Sequence, residues 1–197
     1  MKAVFPFKDL ILEKISAQLE TPSFNSTNDV FHDLISCIIE QQIHYRSTKR
    51  IFIKALERAG IEHLSIENFH LLEKYSLPQI KLSMGKYETM MSFFDYWSNN
   101  TLDFNQLTDK EVKIELSSIK GIGEWTIDMV LLYTLKRPNI FPVDDFHLKQ
   151  IMTSLYNLNP QVKLKMQMKE IAENWGDQKS LAVLYLLSWK KFNKITL

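Results

Sequence analysis

The chain has 197 residues, of which 45% are apolar and 24% charged, with a formal net charge of +1. These values fit one folded domain or two small lobes with a sizeable core, and they neither demand nor exclude a nucleic-acid partner, which would need a local basic patch. Cys37 is the only cysteine, which excludes an intrachain disulfide. Residues 1–20 mix Lys, Asp and Glu among apolar positions and lack a signal-peptide core, and no apolar run is long enough to span a membrane. An intracellular, cytoplasmic, soluble protein is expected.

In chain order, a first helix is expected after Pro6, with Leu10, Ile11, Ile15 and Leu19 near helical spacing. A polar loop, TPSFNSTND, follows, with Asp29 as N-cap of a helix that puts Phe31, Leu34, Ile35, Ile38 and Ile39 on one face. The next helix runs from Tyr45 to Ala59 and ends at Gly60, a C′ residue. Residues 61–75 predict a short helix capped by Ser65, Leu77-Pro78 a break, and residues 80–97 a helix rich in Met, Phe, Tyr and Trp. Thr108-Asp109-Lys110-Glu111 has the capping-box form. Further helices are expected before Pro138, over 144–156, over 161–174 and over Ser180–Lys191. Strand alternation is not evident, so the fold class is all-α.

The most informative stretch is residues 116–150. Gly121 and Gly123 lie two apart, a spacing that allows positive φ and close approach of the backbone to a ligand. The helix that starts directly afterwards presents unbonded N–H groups and a positive dipole end, which suits an anion such as phosphate. About twenty residues on, Pro142 breaks the chain just before two acids, Asp144 and Asp145. Taken alone, such an acid pair before a helix is most simply an N-cap.

The sequence Ile119-Lys120-Gly121-Ile122-Gly123-Glu124-Trp125-Thr126-Ile127, followed by Asp144-Asp145-Phe146-His147-Leu148-Lys149-Gln150, resembles the helix-hairpin-helix DNA glycosylases, the 3-methyladenine DNA glycosylase II (AlkA) type in particular. Lys120 stands where the family has proline, and Ile127 where it has alanine. The resemblance covers roughly residues 30–190. It implies two helical lobes with a helix-hairpin-helix motif and a pocket between them: one lobe of about residues 31–115, the other of about 1–30 plus 116–197. The N-terminal β-rich domain of the AlkA type is expected to be missing. With a single cysteine, the four-cysteine iron–sulfur cluster of some relatives is not expected.

The resemblance also implies roles. Asp145 aligns with the family carboxylate that stabilises a sugar with oxocarbenium character and positions water, and Asp144 is then the cap or supporting acid. An alternative alignment, on a Val-Asp-x-His form, selects Asp144 instead. Trp125 occupies the place of the lysine nucleophile found in relatives that also cut the strand, so a monofunctional enzyme is implied. Trp125, Phe146 and Met129 align with base-pocket positions, Met129 where the AlkA type can have a tyrosine. Leu187 takes the site of the C-terminal pocket tryptophan, with Trp189 two residues late. Lys120, Gly121, Ile122, Gly123, Thr126 and Lys149 are expected at DNA phosphates. Gln42, in Ile38-Ile39-Glu40-Gln41-Gln42-Ile43-His44, is expected to fill the gap left by a flipped base; Glu40 replaces the family's glycine and His44 its serine.

Family hairpins often hold a monovalent cation, and the matching carbonyls are those of Ser117, Ile119 and Ile122. No other cofactor is expected, and the histidines show no paired metal-ligand spacing. Trp175-Gly176-Asp177-Gln178-Lys179-Ser180-Leu181-Ala182 resembles a family motif that bears on the fold more than on the chemistry. The implied function is removal of alkylated bases such as 3-methyladenine from duplex DNA by a monomer. The alternatives are a glycosylase for other damaged bases, or a non-catalytic helix-hairpin-helix DNA-binding protein.

Overall fold

The structure, a computed structural model, describes residues 8–23, 26–40 and 50–192, and among these residues every regular element is helical. The chain divides into two compact units, Ser26–Leu135 and Met1–Asn25 with Lys136–Leu197. The hairpin region 116–135 therefore groups with the first of these units, and not with the C-terminal part of the chain as expected. The cause is local packing: the helices on either side of the hairpin pack on each other, and the end of the second packs on the helix that starts at Val30.

Within Ser26–Leu135, that helix, α2 (Val30–Ile39), is the centre. Asp29 caps it by accepting the His32 N–H at 3.1 Å. All five residues of its expected apolar face are buried, along with four others, so α2 is covered on most of its circumference. α3 (Arg50–Ala59) ends at Gly60, whose φ of +67° and the Ile61 N–H bond to Leu56 O at 2.9 Å make a Schellman-type stop. The N-cap position of α4 (Phe69–Tyr75) is held by Asn68, without a side-chain capping bond, and not by Ser65 as expected. Asn68 accepts the Ser65 N–H at 2.9 Å and donates to His63 O, so the serine is inside the turn that the asparagine closes.

α5 (Met84–Ser98) brings Phe93 into a stack on Phe31 and Trp97 against both, with Phe104 stacked on Trp97 in turn. These rings supply large buried area, and their contacts add roughly 0.5–1.5 kcal/mol per pair beyond it. α6 (Asp109–Ser117) opens with a complete capping box: Thr108 Oγ1 accepts the Glu111 N–H and Glu111 accepts the Thr108 N–H. α7 (Glu124–Met129) runs on into a π-helical segment, Val130–Thr134. Thr134 Oγ1 donates to the buried Asp33 at 2.8 Å, and Ser26 Oγ donates to Thr134 O at 2.6 Å.

In the other unit, α1 (Leu10–Gln18) and α8 (Phe146–Leu155) both pack on α10 (Lys179–Phe192), with α9 (Leu164–Glu173) between α8 and α10 in sequence. Asp9 ties the unit together. Its Oδ1 caps α1 by accepting from Ile11 and Leu12, and its Oδ2 accepts from the Tyr156 hydroxyl at 2.7 Å and the Trp175 indole N–H at 2.9 Å. Trp175 is buried, and burial followed by the Asp9 contact raises the Tyr156 pKa. Asp9→Ala should lower unfolding stability by about 2–3 kcal/mol in urea titrations, through a lost cap and two stranded donors. Asp9→Asn should cost less, because its carbonyl oxygen can still cap. Ser180 pins the strand of chain leading to the acids: its N–H donates to Pro138 O at 3.0 Å and its Oγ accepts the Ile140 N–H at 2.9 Å.

Candidate active site

The hairpin is built by two short-range bonds, Ile119 N–H to Leu116 O at 3.3 Å and Ile122 N–H to Ile119 O at 3.1 Å, with both isoleucines buried. Its two glycines differ. Gly121 has φ +91° and lies so close to α5 that a Cβ there would collide with the Thr89 side chain. Gly123 has φ −98° and ψ 168°, ordinary extended backbone, and a Cβ there would meet nothing within 4 Å. Only Gly121 therefore needs the positive φ that both glycines were expected to use. Gly123 serves instead as the N-cap of α7, with no side chain between solvent and the first N–H groups of that helix.

The first intrahelical bond is Ile127 N–H to Gly123 O at 3.1 Å, so the N–H groups of Glu124, Trp125 and Thr126 are not taken by the helix ladder. Glu124 is exposed, and Trp125 and Thr126 are half-buried. Lys120 projects from the hairpin and pairs with Glu88 of α5 at 3.2 Å, an exposed contact that costs little to open. Lys113 and Asp128 join α6 to α7 at 3.1 Å. Met129 is only 2% exposed, so it offers almost no surface. The proposed cation donors fit such an ion in kind, being hard carbonyl oxygens. The carbonyl of Ile119 already accepts from Ile122 and has a second lone pair.

In the other unit, Asp145 is 9% exposed and is the N-cap of α8, accepting the Leu148 N–H on Oδ1 at 2.8 Å. The cap thus belongs to Asp145, and not to Asp144 as expected. Its own N–H donates to Pro142 O at 2.9 Å, so the break at the proline also orients the acid. Phe146, next in the chain, is 65% exposed, an unusual position for a phenylalanine, with its ring edge-on to His147.

Asp144 accepts from Lys149 Nζ at 2.8 Å and lies 2.7 Å from Lys165 Nζ of α9. The hydrogen bonds from Lys149 and Lys165 hold its carboxyl below the usual carboxylate range. Lys149 was expected at a DNA phosphate, but its charge is engaged by Asp144 instead. Lys190 of α10 donates to Gln150 Oε1 at 2.7 Å and meets His147 Nδ1 at 2.9 Å, which fixes the ring orientation of His147.

The predicted residues thus fall into two groups. Lys120, Gly121, Ile122, Gly123, Trp125, Thr126 and Met129 come together along the hairpin and α7, and Asp144, Asp145, Phe146 and Lys149 come together at the start of α8. Gln42 lies outside the described residues. Glu40, which departs from the family's glycine, is buried at the end of α2 and accepts the Phe52 N–H in the first turn of α3 at 2.9 Å. Sequence reasoning missed Thr89 and Lys165, which touch the hairpin glycine and the first acid from distant positions; neither belongs to a motif.

The chain is 29% identical over 167 residues to a putative DNA-3-methyladenine glycosylase, YfjP, of Bacillus subtilis, a match that covers 80% of this chain. It spans 58% of that relative's length. It is 25% identical over 166 residues to the DNA-3-methyladenine glycosylase 1 of Schizosaccharomyces pombe, covering 81% of this chain and 71% of that one. The fold matches a crystal structure of DNA-3-methyladenine glycosidase from Bacillus halodurans with TM-score 0.72 at 23% identity, over 96% of this chain and 94% of the other. No protein-family model matches the chain.

Proposed function

We propose, from a fold and sequence shared with DNA-3-methyladenine glycosylases and related helix-hairpin-helix glycosylases, that this protein is a monofunctional DNA glycosylase. It excises alkylated bases such as 3-methyladenine from duplex DNA inside the cell, as a step in base excision repair. The observation that carries this reading is Asp145: a buried carboxylate held by a helix N-terminus, with the exposed ring of Phe146 beside it. A module that only bound phosphate would gain nothing from a negative charge there.

In the reaction, the glycosidic C–N bond breaks and its electron pair leaves with the base. An alkylated purine that begins cationic departs neutral, so protonation of the leaving group is not required. The sugar gains positive charge, which the fixed charge of Asp145 stabilises. Water then adds to C1′ and releases a proton, with Asp145 orienting it or accepting that proton. Enzymes of this kind extrude the base from the stack first. Phe146 offers an aromatic face to the extruded base. The α7 N–H groups and Lys120 bind phosphate, which positions the duplex without reading its sequence. A monovalent cation on the carbonyls of Ser117, Ile119 and Ile122 would rigidify the hairpin by drawing those oxygens together.

The test is base release from methylated duplex DNA by the purified protein, with the products identified. Free 3-methyladenine is expected, and intact methylated DNA after long incubation would overturn the proposal. Because Trp125 cannot form a Schiff base, the strand should remain uncut at the abasic site, and borohydride should trap no covalent enzyme–DNA adduct. A trapped adduct would mark a lysine nucleophile elsewhere.

A further inference from the structure

Asp144 poses a charge problem solved inside one unit: it sits directly before Asp145, and two ammonium groups meet its carboxylate, Lys149 from α8 at 2.8 Å and Lys165 from α9 at 2.7 Å. Two adjacent carboxylates repel each other, and two unpaired lysines beside a sugar that becomes cationic would oppose the reaction. The arrangement removes both difficulties together. Two negative and two positive charges sum to zero over Asp144, Asp145, Lys149 and Lys165, and both lysines sit on Asp144. Beside the cluster, His147 on α8 and Lys190 on α10 meet each other.

We infer that Asp144, Lys149 and Lys165 form a charge clamp that fixes the residue before Asp145, with Lys165 a positioning residue for base excision and not a phosphate contact. The inference rests on the assignment of Asp145 as the excision carboxylate. Two features support it beyond the distances. Lys165 is half-exposed, with 57% of its side chain accessible, yet it is drawn onto an acid on another helix. The lysine contacts also hold Asp144 firmly ionised, which keeps the clamp closed across the physiological range. Asp144 is thereby a compensator for the lysines, and its loss should harm the reaction by exposing them.

The test is single-turnover base release, with a parallel titration of an abasic-analogue duplex, for wild type and four variants. Lys165→Met should slow release about tenfold with unchanged duplex affinity, and Lys165→Arg should restore the rate to within about twofold. Asp144→Asn should slow release by a similar factor or more. Asp144→Asn with Lys165→Met should be several-fold faster than Asp144→Asn alone, since one uncompensated cation is gone. A double variant no faster than Asp144→Asn would overturn the clamp and mark Asp144 as acting directly. A Lys165→Met variant with wild-type rate would overturn it too. So would one with weakened duplex affinity and a reduced salt slope, which would make Lys165 a phosphate contact. Absence of release by wild type would instead defeat the assignment of Asp145 on which the clamp depends.

Discussion

Asp145→Asn should abolish base release while leaving the fold and the affinity for an abasic-analogue duplex close to wild type. The substitution isolates charge from capping. Asn is as good an N-cap as Asp, so its carbonyl oxygen can keep the bond from the Leu148 N–H, now 2.8 Å, and α8 should lose only a few tenths of a kcal/mol. What disappears is the negative charge at the developing cation, and removal of one such electrostatic stabiliser costs on the order of 100-fold or more. Single-turnover release measured beside urea unfolding separates the two effects. Turnover near wild type would show that Asp145 is a cap and nothing else. Asp145→Ala is the less informative change, because it removes cap and charge together.

Gly121→Ala should disrupt the hairpin, whereas Gly123→Ala should not. At Gly121 the new Cβ faces two obstacles: a φ of +91°, which side-chain-bearing residues rarely adopt, and the Thr89 side chain already in its place. Backbone strain of roughly 1–3 kcal/mol and a forced shift of a packed helix of similar size add to about 4 kcal/mol. At Gly123 the backbone is extended and the space is open, so the folded state should change by less than about 1 kcal/mol. Urea titration checks both. Duplex titration then asks a second question of Gly123→Ala, because an added methyl at the mouth of α7 obstructs a phosphate approaching its N–H groups. Affinity should fall several-fold for damaged and undamaged duplex alike, since phosphate contacts carry no sequence information. Unchanged affinity would make the hairpin a structural turn.

Those two glycines show where sequence was sufficient and where it was not. Helix positions were legible because apolar spacing and caps are local: Asp29, Gly60 and the Thr108–Glu111 box all perform as their neighbours imply. The hairpin and the acid pair were legible by resemblance. Gly121 and Gly123 look equivalent in sequence because their difference is imposed by Thr89, which lies thirty-odd residues earlier on α5. Asp144 and Asp145 look equivalent for the same reason. Lys165 claims one and the α8 N-terminus claims the other, and neither partner announces itself by a motif. Ser65 was a reasonable cap on composition, but Asn68, whose amide separates its donor from its acceptor, closes the turn around it. The unit boundary was misplaced because the apolar surface of the segment after the hairpin does not name its partner; Thr134, through its bond to Asp33, does.

The π-helical segment after the hairpin changes how distance along this chain should be counted. At Val130–Thr134 the ladder reaches back five residues, with Leu135 N–H on Val130 O at 2.9 Å, where an α-helix would reach back four. Such a turn absorbs one surplus residue at the end of the helix, while the α-helical turns before it keep their course. A one-residue deletion within 131–133 should therefore restore regular α-helix and leave both flanks with their partners, the hairpin upstream and the Thr134–Asp33 bond downstream. An interval of residues is thus an elastic ruler across this segment, and the identity of the working acid is set by the bonds each carboxylate makes, not by how far it stands from the glycines.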